Sequence, residues 1–316
     1  MANSNAAIGW QAQCGFGAAN PVTIPVEVEV DGLQARRSRV QSEGVRGTRQ
    51  RIHETTGDGP IVVAGDVSIR PTYTALAAML PFIMGATASG SNPTTYAFAE
   101  TNQNYGSGLK GFYWTADRKT KVFTYAGVNV AKAVFSTQQG LDMKTVLSLV
   151  AQTETIGAAG SFPSLTFSTD SPFMWSSAIL TLNGITREVK DWSLTIDNKP
   201  ITDRFNNSQT ATQFPFTDFT VELDCNMPFT ADEVDLYNVA LLGDVSATLV
   251  LTDTDSTSGG PGNVAAHTLT FTFGKMDWAS ETPTMPGRAL EIPTRAKFVS
   301  RKQTQGTITD SLSITM

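Results

Sequence analysis

The 316-residue chain is poor in the residues that perform acid–base and metal chemistry, with two histidines, His53 and His267, and two cysteines, Cys14 and Cys225. A nucleophilic site needs a base oriented by an acid. His53 has only its sequence neighbour Glu54 in a polar stretch, and His267 opens a strand after a glycine-rich loop. No local spacing supplies the third and fourth ligands of a zinc site. The cysteines stand far apart and read as free thiols. Charged residues make up 16% of the chain, against roughly 25% in an average soluble domain. The net charge of -6 and pI near 5.0 leave no overall excess of Lys and Arg for gripping a nucleic-acid backbone. The most apolar stretch, TALAAMLPFIMGA, is too short to span a bilayer and contains Pro81. MANSNAAIGWQ has neither the basic nor the apolar part of a signal peptide. A soluble protein without cofactor, metal or membrane anchor is expected.

What the chain has instead is alternation of period two. VTIPVEVEV puts Val22, Ile24, Val26, Val28 and Val30 on one face and Thr23, Pro25, Glu27 and Glu29 on the other, as in a half-buried strand with an acidic wet side. DWSLTID, ATLVLTD, HTLTFTFG and SLSITM repeat the pattern, with Trp192, Leu194, Ile196, Ala247, Leu249, Leu251, Leu269, Phe271, Phe273, Leu312, Ile314 and Met316 facing inward. This predicts antiparallel β architecture.

Helix signals are few, and they come in the same order twice. Thr72 to Met84 follows Pro71 and stops at Gly85, with Pro81 expected to kink it or end it early. The counterpart opens at Thr230, has Asp232 and Glu233 in its first turn where the helix dipole favours acids, and stops at Gly243. Residues 157–172, GAAGSFPSLTFSTDSP, read as a linker. The chain therefore divides into an arm at 1–20, a β module at 21–156, the linker, and a second β module at 173–316. Each module is a sandwich or barrel with one flanking helix.

The remaining motifs are weak as chemistry. CGFGAAN lacks the third glycine and the preceding strand of a dinucleotide fingerprint. DTDSTSGG has Asp253 and Asp255 but not the sixth-position glycine or late glutamate of a calcium loop, and reads as a solvated hairpin tip. Glu27 and Glu29 lie side by side on an open strand face, unlike a hydrolase's carboxylate pair in a cleft. ARRSRVQSEGVRGTRQRIHE concentrates Arg36, Arg37, Arg39, Arg46, Arg49 and Arg51 in an otherwise acidic chain. It has no aromatics to stack on bases. A protruding hairpin that meets carboxylates of a neighbouring subunit is preferred over a solvated ribbon.

The order of that ribbon, then GDVSIRPTYTALAAMLPFIMG, then LTIDNKP and LTFTFGKMDW, resembles the tail tube proteins of long-tailed bacteriophages over nearly the whole chain. The resemblance implies a structural virion protein without enzymatic activity, made in the host cytoplasm. Copies would form rings stacked into a hollow tube, with other tail proteins at its ends. DNA and the tape-measure protein would occupy the lumen. Glu27 and Glu29 are then expected to face the lumen, and the ribbon arginines to contact an adjacent ring, with Asp232, Glu233 and Asp235 as partners. Two modules per chain and the family's common sixfold symmetry favour a ring of three chains over one of six. The alternative is a baseplate or adhesin module that binds a host surface glycan. That would need exposed aromatics, whereas Trp192, Phe271 and Phe273 fall on the inward phase.

Overall fold

Alternation in the sequence becomes seventeen strands, one α-helix and a short 3-10 turn among the residues described by the computed structural model, which are 13–41, 56–85, 95–97, 111–167, 170–228, 245–253, 267–279, 293–301 and 312–316. The first part of the chain contains β1 (Gln13–Gly17), β2 (Ile24–Asp31), β3 (Gln34–Gln41), β4 (Thr56–Arg70), α1 (Tyr73–Met84), β5 (Thr95–Ala97), β6 (Phe112–Asp117), β7 (Val122–Gln138), β8 (Lys144–Ala151) and β9 (Thr153–Gly157). The rest contains β10 (Ile179–Leu182), β11 (Ile185–Arg187), β12 (Asp191–Asp197), β13 (Thr220–Pro228), β14 (Val245–Thr252), β15 (Thr268–Trp278), β16 (Pro293–Arg301) and β17 (Leu312–Thr315). The fold is mainly β, as the alternation predicts.

Six strands close on themselves. β1 pairs with β2, β2 with β4, β4 with β8, β8 with β7, β7 with β6, and β6 with β1, all antiparallel. Closure removes the free edges that an open sheet would expose. Phe16, Trp114, Tyr125, Val67 and Leu147 are all fully or almost fully buried.

β7 is long enough to serve two structures. Its first half pairs with β6, and its second half pairs along the same edge with β12, from Lys132↔Asp197 to Gln138↔Asp191. From β12 the sheet continues through β13 and β16 to β15, which also pairs with β14 and β17. β17, at the C-terminus, pairs in turn with β5. One buried cluster runs from Cys14 to Met316, and Phe135 of β7 meets Phe271 of β15 at a ring-centroid distance of 5.7 Å. Backbone ladders and shared core thus join the two parts of the chain on both sides of residues 157–172.

α1 begins and ends where its sequence signals stand. The Thr72 hydroxyl accepts from the Ala75 amide, and Gly85 takes the left-handed conformation (φ 66°) that favours glycine after a helix. Pro81 does not end the helix early, which runs on to Met84. Leu76, Met79, Leu80, Ile83 and Met84 are buried, so packing offsets the hydrogen bond that proline cannot donate. The second helix expected from Thr230 to Gly243 lies outside the described residues.

The expected inward set of the later strands is buried throughout. The β2 pattern holds only in part, because Val30 is 59% exposed. A register shift between Val28 and Val30 in the β2–β4 ladder explains the difference, since one slipped residue reverses the side a strand presents.

Candidate functional site

The wet face of the sheet follows from the register. Residues paired across an antiparallel ladder lie on one side, so the rung Phe135, Leu194 and Leu223 points into the core. The neighbouring rungs point the other way, through Val134, Thr195 and Glu222 or Ser136, Ser193 and Asp224. This polar face extends from β2 through β4, β8, β7, β12 and β13 to β16. Much of its charge is paired across strands. Lys297 contacts Glu222 at 2.9 Å, and Ser148 donates to Asp66 at 2.6 Å.

Glu27 and Glu29 sit at one end of this face. Glu29 is held by Arg70 at 2.8 Å and by Lys144, and Arg70 also reaches Asp142 at 3.1 Å. The hydrogen bond from Lys144, followed by that from Arg70, holds the Glu29 carboxyl below the usual carboxylate range. Glu29 is therefore not the bare negative charge that the acidic strand suggested. Glu27, opposite Arg70 in the ladder, carries no ion pair among the described residues. Alternation could not have shown this cluster, because Arg70, Asp142 and Lys144 come from three different segments.

The arginine ribbon emerges at the opposite end. β3 and the first part of β4 pair from Gln34↔Ala64 to Gln41↔Thr56, and Arg36, Arg37 and Arg39 are exposed. Arg37 contacts Asp58 at 3.4 Å. Arg36 and Arg39 have no ion pair among the described residues. Arg46, Arg49, Arg51, His53, Asp232, Glu233 and Asp235 lie outside the described residues. β4 carries both ends, the ribbon at Asp58 and the glutamates at Arg70. The chain between them, if straight, would span on the order of 40 Å.

The base of the ribbon is fixed by contacts from elsewhere in the barrel. Arg118 donates to Asp31 and to the Leu33 carbonyl, and Tyr125 donates to the same carbonyl at 2.7 Å. Burial is the largest single influence and works against the Arg118 charge, but the bond to Asp31, the Asp31 charge and Tyr125 together outweigh it, and its pKa rises. Glu154 accepts from the Ala35 amide at 3.3 Å. The bend between β2 and β3 requires glycine on both sides, since a Cβ on Gly65 would stand 2.1 Å from the Gly32 carbonyl oxygen. Residues 199–219, between β12 and β13, form a strap over the wet face. Phe205 and Phe214 pack in a small cluster with Val150 and Ala131. The Gln209 carbonyl accepts from the Ile61 amide of the ribbon at 2.6 Å, and Gln152 donates to the Thr212 carbonyl. The stretch has no sustained alternation or helical period in its sequence, so this contact has no counterpart in its residue pattern.

The other motifs take structural roles. Asp253 is buried and accepts from the His267 amide, and its other oxygen lies 2.7 Å from His267 Nδ1. Asp253 is therefore a buried bonding partner of His267 and not solvated, while Asp255 and the rest of that motif lie outside the described residues. The His267 ring stacks on Tyr73 at 3.9 Å. Both cysteines are free and buried, which pushes their thiols well up. Trp192, Phe271 and Phe273 are buried and offer no sugar platform. Among the described residues no group of His, Cys, Asp and Glu could hold a metal, and no helix is long and apolar enough to cross a membrane.

A sequence model of the phage tail tube protein family matches residues 2–296. The chain belongs to the phage tail tube protein family. No curated protein sequence matches it significantly. Membership makes the chain a structural component of the virion tail and not an enzyme.

Proposed function

We propose that this chain is the repeating subunit of a hollow tail tube: copies close into rings, rings stack, and DNA passes along the channel with the tape-measure protein. The observation that carries this reading is the wet face from β2 to β16, which crosses both parts of the chain and has a projecting ribbon at one end. A monomer gains little from a two-stranded ribbon whose outer part, Arg36 to Val40 with Gly57 and Asp58, is exposed, because such a hairpin is marginal alone. A stacked neighbour would cover it.

The wet face, with Glu27 and Glu29 on it, lines the channel in this proposal. Its carboxylates are largely matched by Lys and Arg on neighbouring strands, so passing phosphates meet neither a continuous acid wall nor a basic one. The ribbon arginines contact the adjacent ring. Asp232, Glu233 and Asp235 follow β13, which delivers the chain at Pro228 to the end of the sheet away from the ribbon. Residues 21–156, whose barrel is closed by β1 from the preceding arm, and residues 173–316 act as two fused modules, with the β7–β12 ladder replacing one of the contacts between subunits. A ring of three chains follows from that substitution. Assembly takes place in the host cytoplasm, and other tail proteins join at the tube ends.

Negative-stain electron microscopy of the purified chain, concentrated at low and at moderate salt, tests the reading. Hollow tubes or stacked rings are expected. Discrete monomers under every condition would overturn it.

A further inference from the structure

A groove of about 480 Å³ opens beside Glu27, at the end of the sheet remote from the ribbon. It forms where β4 leaves β2 and turns into α1. Ile24, Pro25, Ala75 and Phe167 give it apolar lining, and Glu27 and Arg70 are its charged members. Phe167 is 38% exposed. Among the described residues of this cluster carboxylates outnumber cations, with Glu27, Glu29 and Asp142 beside Arg70 and Lys144.

The ribbon has the complementary composition. Its described part has Arg36, Arg37 and Arg39 against the single acid Asp58, and Val40 is 63% exposed. Ribbon and groove cannot meet within one chain, since they lie at opposite ends of β4. A second copy displaced along the strand direction brings one to the other.

We propose that this groove receives the β3–β4 ribbon of a second copy in the adjoining ring, with Val40 against Phe167 and Pro25, and Arg36 or Arg39 at Glu27. This rests on the tube reading above. Glu29 is already matched by Arg70 and Lys144, whereas Glu27 has charge to spare at the rim. The pairing of unlike ends permits a head-to-tail stack without a fixed limit.

The test is charge reversal with rescue, read by electron microscopy and sedimentation. Glu27→Arg and the pair R36E/R39E should each abolish tubes while leaving rings of wild-type mass, and Phe167→Ser should shorten tubes. Combining Glu27→Arg with R36E/R39E in one chain should restore them. Unchanged thermal unfolding of each variant shows that the fold is intact, and any variant that unfolds early is replaced by Glu27→Gln or R36Q/R39Q, with the same expected direction. Wild-type tubes together with unaffected tubes in the Glu27 and Phe167 variants would overturn the groove assignment alone. Loss of rings as well as tubes would place the contact inside a ring and also overturn it. Failure of the wild-type chain to form tubes would remove the tube reading and this proposal together.

Discussion

Arg118 donates to one oxygen of Asp31 through both Nε (3.2 Å) and Nη2 (2.8 Å), and so ties the turn after β6 to the point where β2 leaves the barrel for the ribbon. Its guanidinium also reaches the Leu33 carbonyl and the Tyr125 hydroxyl and lies 4.5 Å from the centre of the Phe123 ring. A planar group with several fixed donors suits this junction better than an ammonium would.

Arg118→Met is therefore expected to loosen the ribbon base. It leaves the largely buried Asp31 carboxylate without its cation, a loss on the order of 1–3 kcal/mol. Thermal unfolding should show the lower stability, and amide exchange should rise first in Leu33 to Arg39. Arg118→Lys should recover part of the loss. Equal exchange in the ribbon of wild type and Arg118→Met would show that the clamp does not position it.

Asn198 is a second junction, and it crosses the two parts of the chain. It is fully buried, and its side-chain amide donates to the carbonyls of Ile83, in the last turn of α1, and of Val130 on β7, each at 3.0 Å. Asn198→Ala removes both donors from buried carbonyls and should cost about 2–3 kcal/mol. Asn198→Asp should be worse at neutral pH, because a carboxylate would face two carbonyl oxygens. Burial raises the folded-state pKa of such a group above its unfolded value, so the variant's stability should fall as pH rises from about 4 to 7. A pH-independent difference between the Asn198→Asp variant and wild type in chemical denaturation would refute this.

The sign is opposite at Glu29. Its folded-state pKa is depressed by Lys144 and Arg70, so its contribution is present above the ordinary glutamate pKa and is lost as pH falls through the lower folded value. The side chain is partly exposed, so the contribution should stay below about 1 kcal/mol. Glu29→Gln should remove that part of the acid sensitivity, and added salt should diminish the difference between the two proteins. An identical acid-unfolding profile for the variant would leave Glu29 without the assigned role.

The legible parts of this fold were those written in local periodicity. Trp192, Leu194 and Ile196 alternate with polar residues, and Thr72 and Gly85 bracket an apolar segment, so burial and helix ends could be read directly. Val30 escaped because a bulge depends on the partner strand as well as on the strand itself. Arg70, Asp142 and Lys144 could not be assigned to Glu29, since their meeting depends on which strands become neighbours. The pairing of β7 with both β6 and β12 was equally hidden, because periodicity gives the face of a strand but not the identity of its partners. The strap at 199–219 has no sustained periodicity, and only its contacts show that it supports the ribbon.

Ring symmetry provides the last prediction. β7 gives one edge to β6 and then to β12, so seven residue pairs, from Lys132↔Asp197 to Gln138↔Asp191, join the two parts of one chain by backbone hydrogen bonds. If each part supplies one module to the channel wall, that ladder takes the place of every second junction around the ring. Three chains then complete six modules, and the ring has threefold symmetry with an approximate sixfold outline. The two kinds of junction should differ in strength, since one is covalently linked and shares a buried core while the other is formed only on assembly. Partial dissociation at low protein concentration should therefore release single chains and never half-chains. Image averaging of end-on rings, together with native mass measurement, decides the matter. Threefold power and a mass of three chains are expected, whereas six chains per ring would mean that only one part of each chain lines the channel.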